Sequence, residues 1–309
     1  MNKETFKYFI KTIILILITS FVLDKIVYLS IGYIEKQVFS GQTIGKVNHY
    51  LSVKDTSDLI VFGSSRANHH INTSNGYGFN MGMDGRKIAF HTTLIKQLPK
   101  NLKQTVLLHL DPEEFINEDY DGSDITRLKN LFYKNKIVNN EIRKVKQNHP
   151  VANFYYSILY NGSVFGILSN YFHPKYNFRK YSGYDPIYPS DFQKLAFKKQ
   201  LDGYELKKHC DTNLKITSIY DNYLNEIINF CKNNNKNLIV FTSPKYYDFC
   251  DDDNVLIKNI MKEKNINFYD YTNFFENNNN IKYWKDRTHL SNEGVEIFTK
   301  EIKELTFKP

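Results

Sequence analysis

Two short stretches of this sequence hold the residue types that nucleophilic chemistry needs. The first, Phe62-Gly63-Ser64-Ser65-Arg66, directly follows the apolar run 58–62. A Ser at a strand-to-helix turn exposes its hydroxyl and lies near the positive end of the following helix, where backbone N–H groups can receive a developing oxyanion. Taken alone, the same residues also describe a Gly-Ser-Ser turn whose Ser caps a helix. A hydroxyl becomes an effective nucleophile only where a base takes its proton. The second stretch, Asp286-Arg287-Thr288-His289-Leu290-Ser291-Asn292-Glu293-Gly294, offers such a base. An Asp three residues ahead of a His can fold back onto the imidazole Nδ1, which leaves Nε2 free to accept a proton. Nucleophile, base and orienter are therefore all present, and acyl transfer through a serine intermediate is the chemistry they would do.

Other uses of the reactive side chains fit the sequence less well. His69, His70, Asp286 and His289 could be grouped around a metal on paper. Adjacent His residues point apart on a strand or helix, however, and neither the H-x-x-E-H nor the H-E-x-x-H spacing occurs. Cys210, Cys231 and Cys250 lack the close pairs of a zinc site, and three Cys cannot form a disulfide framework. No metal or cofactor is expected. The 41 basic residues outnumber the 33 acidic ones, giving a net charge of +8, with runs such as Arg143-Lys144-Val145-Lys146. Without a helix-turn-helix cue, zinc finger or RNA-binding signature, this reads as a solvated face near a membrane rather than a nucleic-acid surface. The 23 Tyr and 23 Phe supply core, and a Tyr-rich surface also suits stacking on sugar rings.

The elements that must position these groups alternate in type. Runs at 58–62, 79–81, 105–110, 237–242 and 267–269 read as short buried strands. Helical patterns lie at 88–98, 218–233 and 253–264. A last helix follows Ser291, with Val295, Phe298, Ile302 and Leu305 on one face. Such alternation predicts an α/β fold, a flavodoxin-like three-layer sandwich around a parallel five-stranded sheet. Ligands of these sheets bind beyond the carboxyl ends of the strands, which puts 63–66, 81–85, Asp111-Pro112 and Ser243-Pro244 on the functional rim. The basic, aromatic stretch of about 113–214 interrupts the alternation and reads as a largely helical insertion, a lid or partner surface. A single α/β domain would cover 57–309 with this insertion inside it.

Residues 12–23 carry no charge, and the window 8–28 reaches the roughly 20 apolar residues that a membrane-crossing helix needs. Residues 1–34 therefore read as a retained transmembrane anchor and 35–56 as a juxtamembrane stalk. Leu23 is not followed by the small-x-small site of a cleaved signal peptide. Lys3, Lys7 and Lys11 predict a single-pass cell-membrane protein with a cytoplasmic N-terminus and an extracytoplasmic domain.

Gly63-Ser64-Ser65 together with Asp286, His289 and Gly294 resembles the first and last blocks of the SGNH/GDSL hydrolase superfamily. Phe79-Asn80-Met81-Gly82-Met83-Asp84-Gly85 is similar to its second block. The Gly-Ser-Ser variant looks like the membrane-anchored branch, which includes the D-alanyl transfer protein of teichoic acid synthesis and relatives of the alginate acetylation proteins. The resemblance covers roughly 58–110 and 238–305. It implies a nucleophilic Ser65, a base His289, an orienting Asp286, and an oxyanion hole from the N–H groups of Ser65 and Gly82. It further implies an esterase or O-acyltransferase acting on acyl groups, acetyl above all, of a cell-surface polysaccharide. Partners would be the acylated glycan or acyl donor and other envelope polysaccharide-modifying proteins. The family's third block, Gly-x-Asn-Asp, is missing; His109-Leu110-Asp111-Pro112 stands at that strand end, and Arg66 and Asn80 are the substitute donors or substrate contacts. The missing donor also permits a non-catalytic module for glycan binding or assembly. An α/β-hydrolase nucleophile turn is approximated by Gly63-x-Ser65-x-Ala67, but that fold places several strands before its Ser.

Overall fold

The computed structural model describes residues 2–145, 150–174, 176–202, 214–248 and 251–306. Cys210, Cys250, Lys146 of the basic run and the end of the expected insertion lie outside these residues. The chain begins with helix α1 (Lys3–Glu35) and a shorter helix α2 (Ile44–Val53). Strand β1 (Leu59–Phe62), helix α3 (Ser65–His70), strand β2 (Phe79–Asn80), helix α4 (Ile88–Ile95) and strand β3 (Gln104–His109) follow. Six helices come next: α5 (Pro112–Phe115), α6 (Lys136–Lys144), α7 (Val164–Phe172), α8 (Phe178–Tyr181), α9 (Asp191–Asp202) and α10 (Ser218–Asn233). Strand β4 (Lys236–Thr242), helix α11 (Asp251–Glu263), strand β5 (Asn267–Asp270) and helix α12 (Asn292–Thr306) complete the chain.

The five strands form one parallel sheet in the order β2-β1-β3-β4-β5. Val61 pairs with Leu107, and Leu107 with Ile239, so the apolar runs seen in the sequence are the sheet's central rungs. All four residues of β1 are buried, as expected of a strand covered on both faces. The chain leaves β1 for β2 on one side and returns to β3 on the other. In parallel sheets ligands bind beyond the carboxyl ends of the strands at such a reversal, here between β1 and β3. On α12, Val295, Phe298 and Ile302 are buried and Leu305 packs at the edge of the same cluster, which also holds Leu107, Ile239 and Phe241.

The contacts divide the chain into two compact units, one of Met1–Asn48 with Thr126–Tyr176, the other of His49–Ile125 with Asn177–Pro309. The sheet and all three motif residues belong to the second unit. The expected insertion carries no strand among its described residues, but it is shared between both units. Residues 126–176 go with the N-terminal helix because they satisfy its charges. Glu35, 2% exposed, accepts from Asn130 Nδ2, Lys134 Nζ and the Tyr160 hydroxyl. Ile167 and Tyr160 pack in an apolar cluster with Tyr28, Ile31 and Ile34 of α1. The expected stalk also contains structure: Tyr50 of α2 is buried against Phe62 and Phe79 and donates its hydroxyl to the Leu94 carbonyl, 2.8 Å. Helix α1 is 33 residues long, and it is apolar enough to cross a membrane.

Candidate active site

The turn after β1 is built around Gly63. Its φ of +137° lies where side chains are strained, and a Cβ there would come within 2.7 Å of His109 Cβ and 3.0 Å of Ala67 Cβ. Ser64 caps α3 by position only; its Oγ is buried and has no hydrogen-bond partner among the described residues. Ser65 is the first residue of α3 and is partly accessible, whereas every other residue from 59 to 71 is buried. Its N–H, at the first helical position, has no i−4 carbonyl within the helix.

Ser65 Oγ lies 2.9 Å from His289 Nε2, across 224 residues of chain. His289 Nδ1 lies 3.0 Å from each carboxylate oxygen of Asp286. Asp286 also accepts from the backbone N–H groups of Thr288 and His289, both at 2.9 Å, so the carboxylate organises its own loop. Burial acts to raise the Asp286 pKa, but the His289 and backbone hydrogen bonds outweigh it and hold the carboxyl well below the usual carboxylate range. The imidazole is thus held with Nδ1–H toward a permanent carboxylate and Nε2 toward the serine hydroxyl.

A second histidine secures the loop. His70 is completely buried, and its Nε2 accepts from the Leu290 N–H at 3.0 Å. Its Nδ1 meets the Ser243 hydroxyl. Burial pushes the His70 pKa well below its ordinary value, in keeping with a neutral ring whose Nε2 accepts. The helix carrying Ser65, the end of β4 and the loop carrying His289 are therefore linked through one side chain. The last block's Gly294 has a packing role: a Cβ there would meet the Tyr283 carbonyl oxygen at 2.3 Å. His69 lies edge-on to His289, ring centres 5.9 Å apart, with its nitrogens toward the Asp185 carbonyl at 2.6 Å and the Asp84 carboxylate at 3.2 Å. His69 and His70 thus diverge, and among the described residues no group of three or more His, Cys, Asp or Glu is placed to hold a metal ion. Cys231 is a buried thiol whose pKa burial pushes up to about 12.

Gly82, Asn80 and Arg66 each have partners within the fold. The Gly82 N–H donates to Asn80 Oδ1 at 2.8 Å, and a Cβ on Gly82 would meet the Asn68 nitrogen at 2.4 Å. The Asn80 amide donates to the carbonyls of Ala67 and Ile71, at 2.7 and 2.8 Å. Asn80 therefore fastens β2 to α3, and the lack of a side chain at Gly82 lets the chain after β2 lie close against that helix. Arg66 is buried and ion-paired with Asp111. Burial would raise the Asp111 pKa, but Arg66 brings it down to about 2. Asp111 also caps α5, so the Asp-Pro pair at the third-block position is a structural turn. Nearby, burial and the Asp111 charge push Glu114 up to about 8, while burial and Arg66 push His109 down to about 3. Sequence reasoning missed His70 and Ser243 as a pair; the available signal was a histidine in a short helix beside a rim serine.

Neither the family models nor the curated proteins include a match to this chain.

Proposed function

We propose that the chain is a membrane-anchored serine esterase or O-acyltransferase of SGNH type, acting on acyl groups, acetyl above all, of a cell-surface polysaccharide. The observation that carries this reading is the relay Ser65 Oγ–His289 Nε2, His289 Nδ1–Asp286, at 2.9 and 3.0 Å. In the first step Ser65 Oγ attacks the acyl carbonyl and its proton passes to His289 Nε2. The tetrahedral intermediate collapses as His289 returns that proton to the departing sugar oxygen, leaving an acyl-serine. Water or a second sugar hydroxyl then attacks this ester, again losing its proton to His289, and free Ser65 is restored. The Ser65 N–H would stabilise the oxyanion. The fold that accompanies this reading is the flavodoxin-like three-layer sandwich, since the strand order 2-1-3-4-5 suits it. The Lys3, Lys7 and Lys11 flank favours a cytoplasmic N-terminus and an exported domain.

One observation favours a second reading, a non-catalytic glycan-binding or assembly module: the Gly82 N–H and the Asn80 amide are already engaged within the fold. A fluorophosphonate probe separates the two. The esterase reading expects covalent labelling of the full chain that Ser65→Ala abolishes and Ser64→Ala leaves intact. Absence of labelling in the unaltered chain would overturn it in favour of the module.

A further inference from the structure

The segment from Pro150 to Tyr160 is built inside out for a water-soluble loop. Polar groups of Phe154 to Ser157 turn inward onto α1. Asp24, 6% exposed, accepts from the N–H groups of Tyr156 and Ser157, at 2.8 and 2.9 Å, and from the Ser157 hydroxyl. Lys25 donates to the Phe154 carbonyl and lies 3.4 Å from the centre of the Tyr156 ring. The Tyr155 hydroxyl meets Ser20 Oγ at 3.0 Å. Three of its apolar side chains turn outward instead: Val151, Phe154 and Ile158 are 53%, 66% and 41% exposed, while Ala152 and Leu159 are buried beneath them. Satisfying backbone and charge internally while presenting hydrocarbon outward is what a lipid-facing surface requires.

The position along α1 matches. Helices rise about 1.5 Å per residue, so the stretch from Lys3 to Asp24 spans about 31 Å, close to the thickness of a bilayer's hydrocarbon core. Asp24 and Lys25, the charged pair that would end the crossing, are the residues to which the segment is tied. The surface is thus continuous with the exposed apolar side chains of α1, among them Leu17, Phe21 and Leu23. Tyr133, stacked on Tyr156 with ring centres 4.2 Å apart, adds an aromatic side chain of the kind that gathers at membrane interfaces.

We propose that Val151, Phe154 and Ile158 form a membrane-docking surface that sits in the headgroup–acyl boundary of the bilayer crossed by α1. The proposal rests on α1 being a membrane anchor, and the test reads the two separately. The full chain is reconstituted in vesicles of phosphatidylcholine and phosphatidylglycerol, with Ile14→Trp, Phe154→Trp and Ile158→Trp prepared singly. The emission added over that of the native Trp284 is followed with lipids brominated near the headgroup or deep in the chain. The expected result is a blue-shifted Trp at 154 and at 158, each losing most of its added emission to shallow bromines, and a Trp at 14 quenched by deep ones. Quenching at 14 with none at 154 or 158 would overturn the docking surface while leaving the anchor in place; these side chains would then face water or another protein. A Trp at 14 that no brominated lipid quenches would remove the anchor, and the docking surface with it.

Discussion

At the scale of single residues, the distinction between the two serines decides the chemistry. Ser64 is buried and its hydroxyl has no partner among the described residues, whereas Ser65 is partly accessible and bonded to His289. Asp286→Asn should keep the loop's shape but disturb the imidazole tautomer. Hydrolysis of p-nitrophenyl acetate should then fall by about 10⁴-fold with the thermal midpoint nearly unchanged. Gly63→Ala should act in the opposite sense, on stability first. A side chain at φ +137° pressed against His109 should cost about 1–3 kcal/mol or more, measured by urea denaturation. The Asp-x-x-His spacing made the Asp286–His289 contact readable from sequence, because it spans three residues and needs no knowledge of the fold. The contacts of Arg66 and Asn80 were not readable for the converse reason: their partners, Asp111, Ala67 and Ile71, are brought near only by tertiary packing, and a polar side chain at a rim looks the same whether it faces a ligand or a neighbour's carbonyl.

At the scale of elements, the short helix α3 and the loop before α12 have to be held in register, and His70 joins them. Replacing it by Ala removes an acceptor for the Leu290 N–H and a partner for Ser243. We expect a loss of about 1–3 kcal/mol in stability and, through displacement of the adjacent His289, a fall in kcat of about 10²-fold with KM little changed. A purely structural role would leave kcat of the folded fraction intact. Helix α5 gives a pH signature. Glu114 is held protonated up to about pH 8 in the folded chain but ionises near its ordinary value of about 4.5 when unfolded. Between those values the native state retains a proton that the unfolded state releases, so this group's contribution to stability declines as pH rises. The stability of Glu114→Gln relative to the unaltered chain should therefore grow from about pH 4.5 to about pH 8, as followed by denaturation at successive pH values. The strands were legible because buried parallel strands are continuous apolar runs; 58–62 and 105–110 differ from the observed β1 and β3 by one residue at their ends. Helix α2 was not, because only Tyr50 and its neighbours betray that a presumed stalk packs on a core.

At the scale of the molecule, α1 serves as more than an apolar rod. Its Asp24 and Glu35 carboxylates are the partners around which residues 126–176 are organised. A chain lacking residues 2–35 should leave Lys134, Tyr160 and Ile167 without their partners. Limited proteolysis should then cut first within 126–176, while β1 to β4 stay protected; equal resistance across both regions would contradict this. The sequence shows Asp24 and Glu35 only as blemishes in a hydrophobic stretch, since nothing local says which distant groups would neutralise them. The same limit hid the sharing of the insertion between the two units, because a Tyr- and Phe-rich stretch does not reveal which surface it will cover.

The separation of Ser65 from His289 by 224 residues has a consequence during synthesis. A ribosome that has made the first four-fifths of this polypeptide has produced the alcohol but nothing able to activate it. If the proposed esterase reading holds, reactivity toward esters arises only once the final stretch has emerged and closed against α3, and a truncated translation product would be inert.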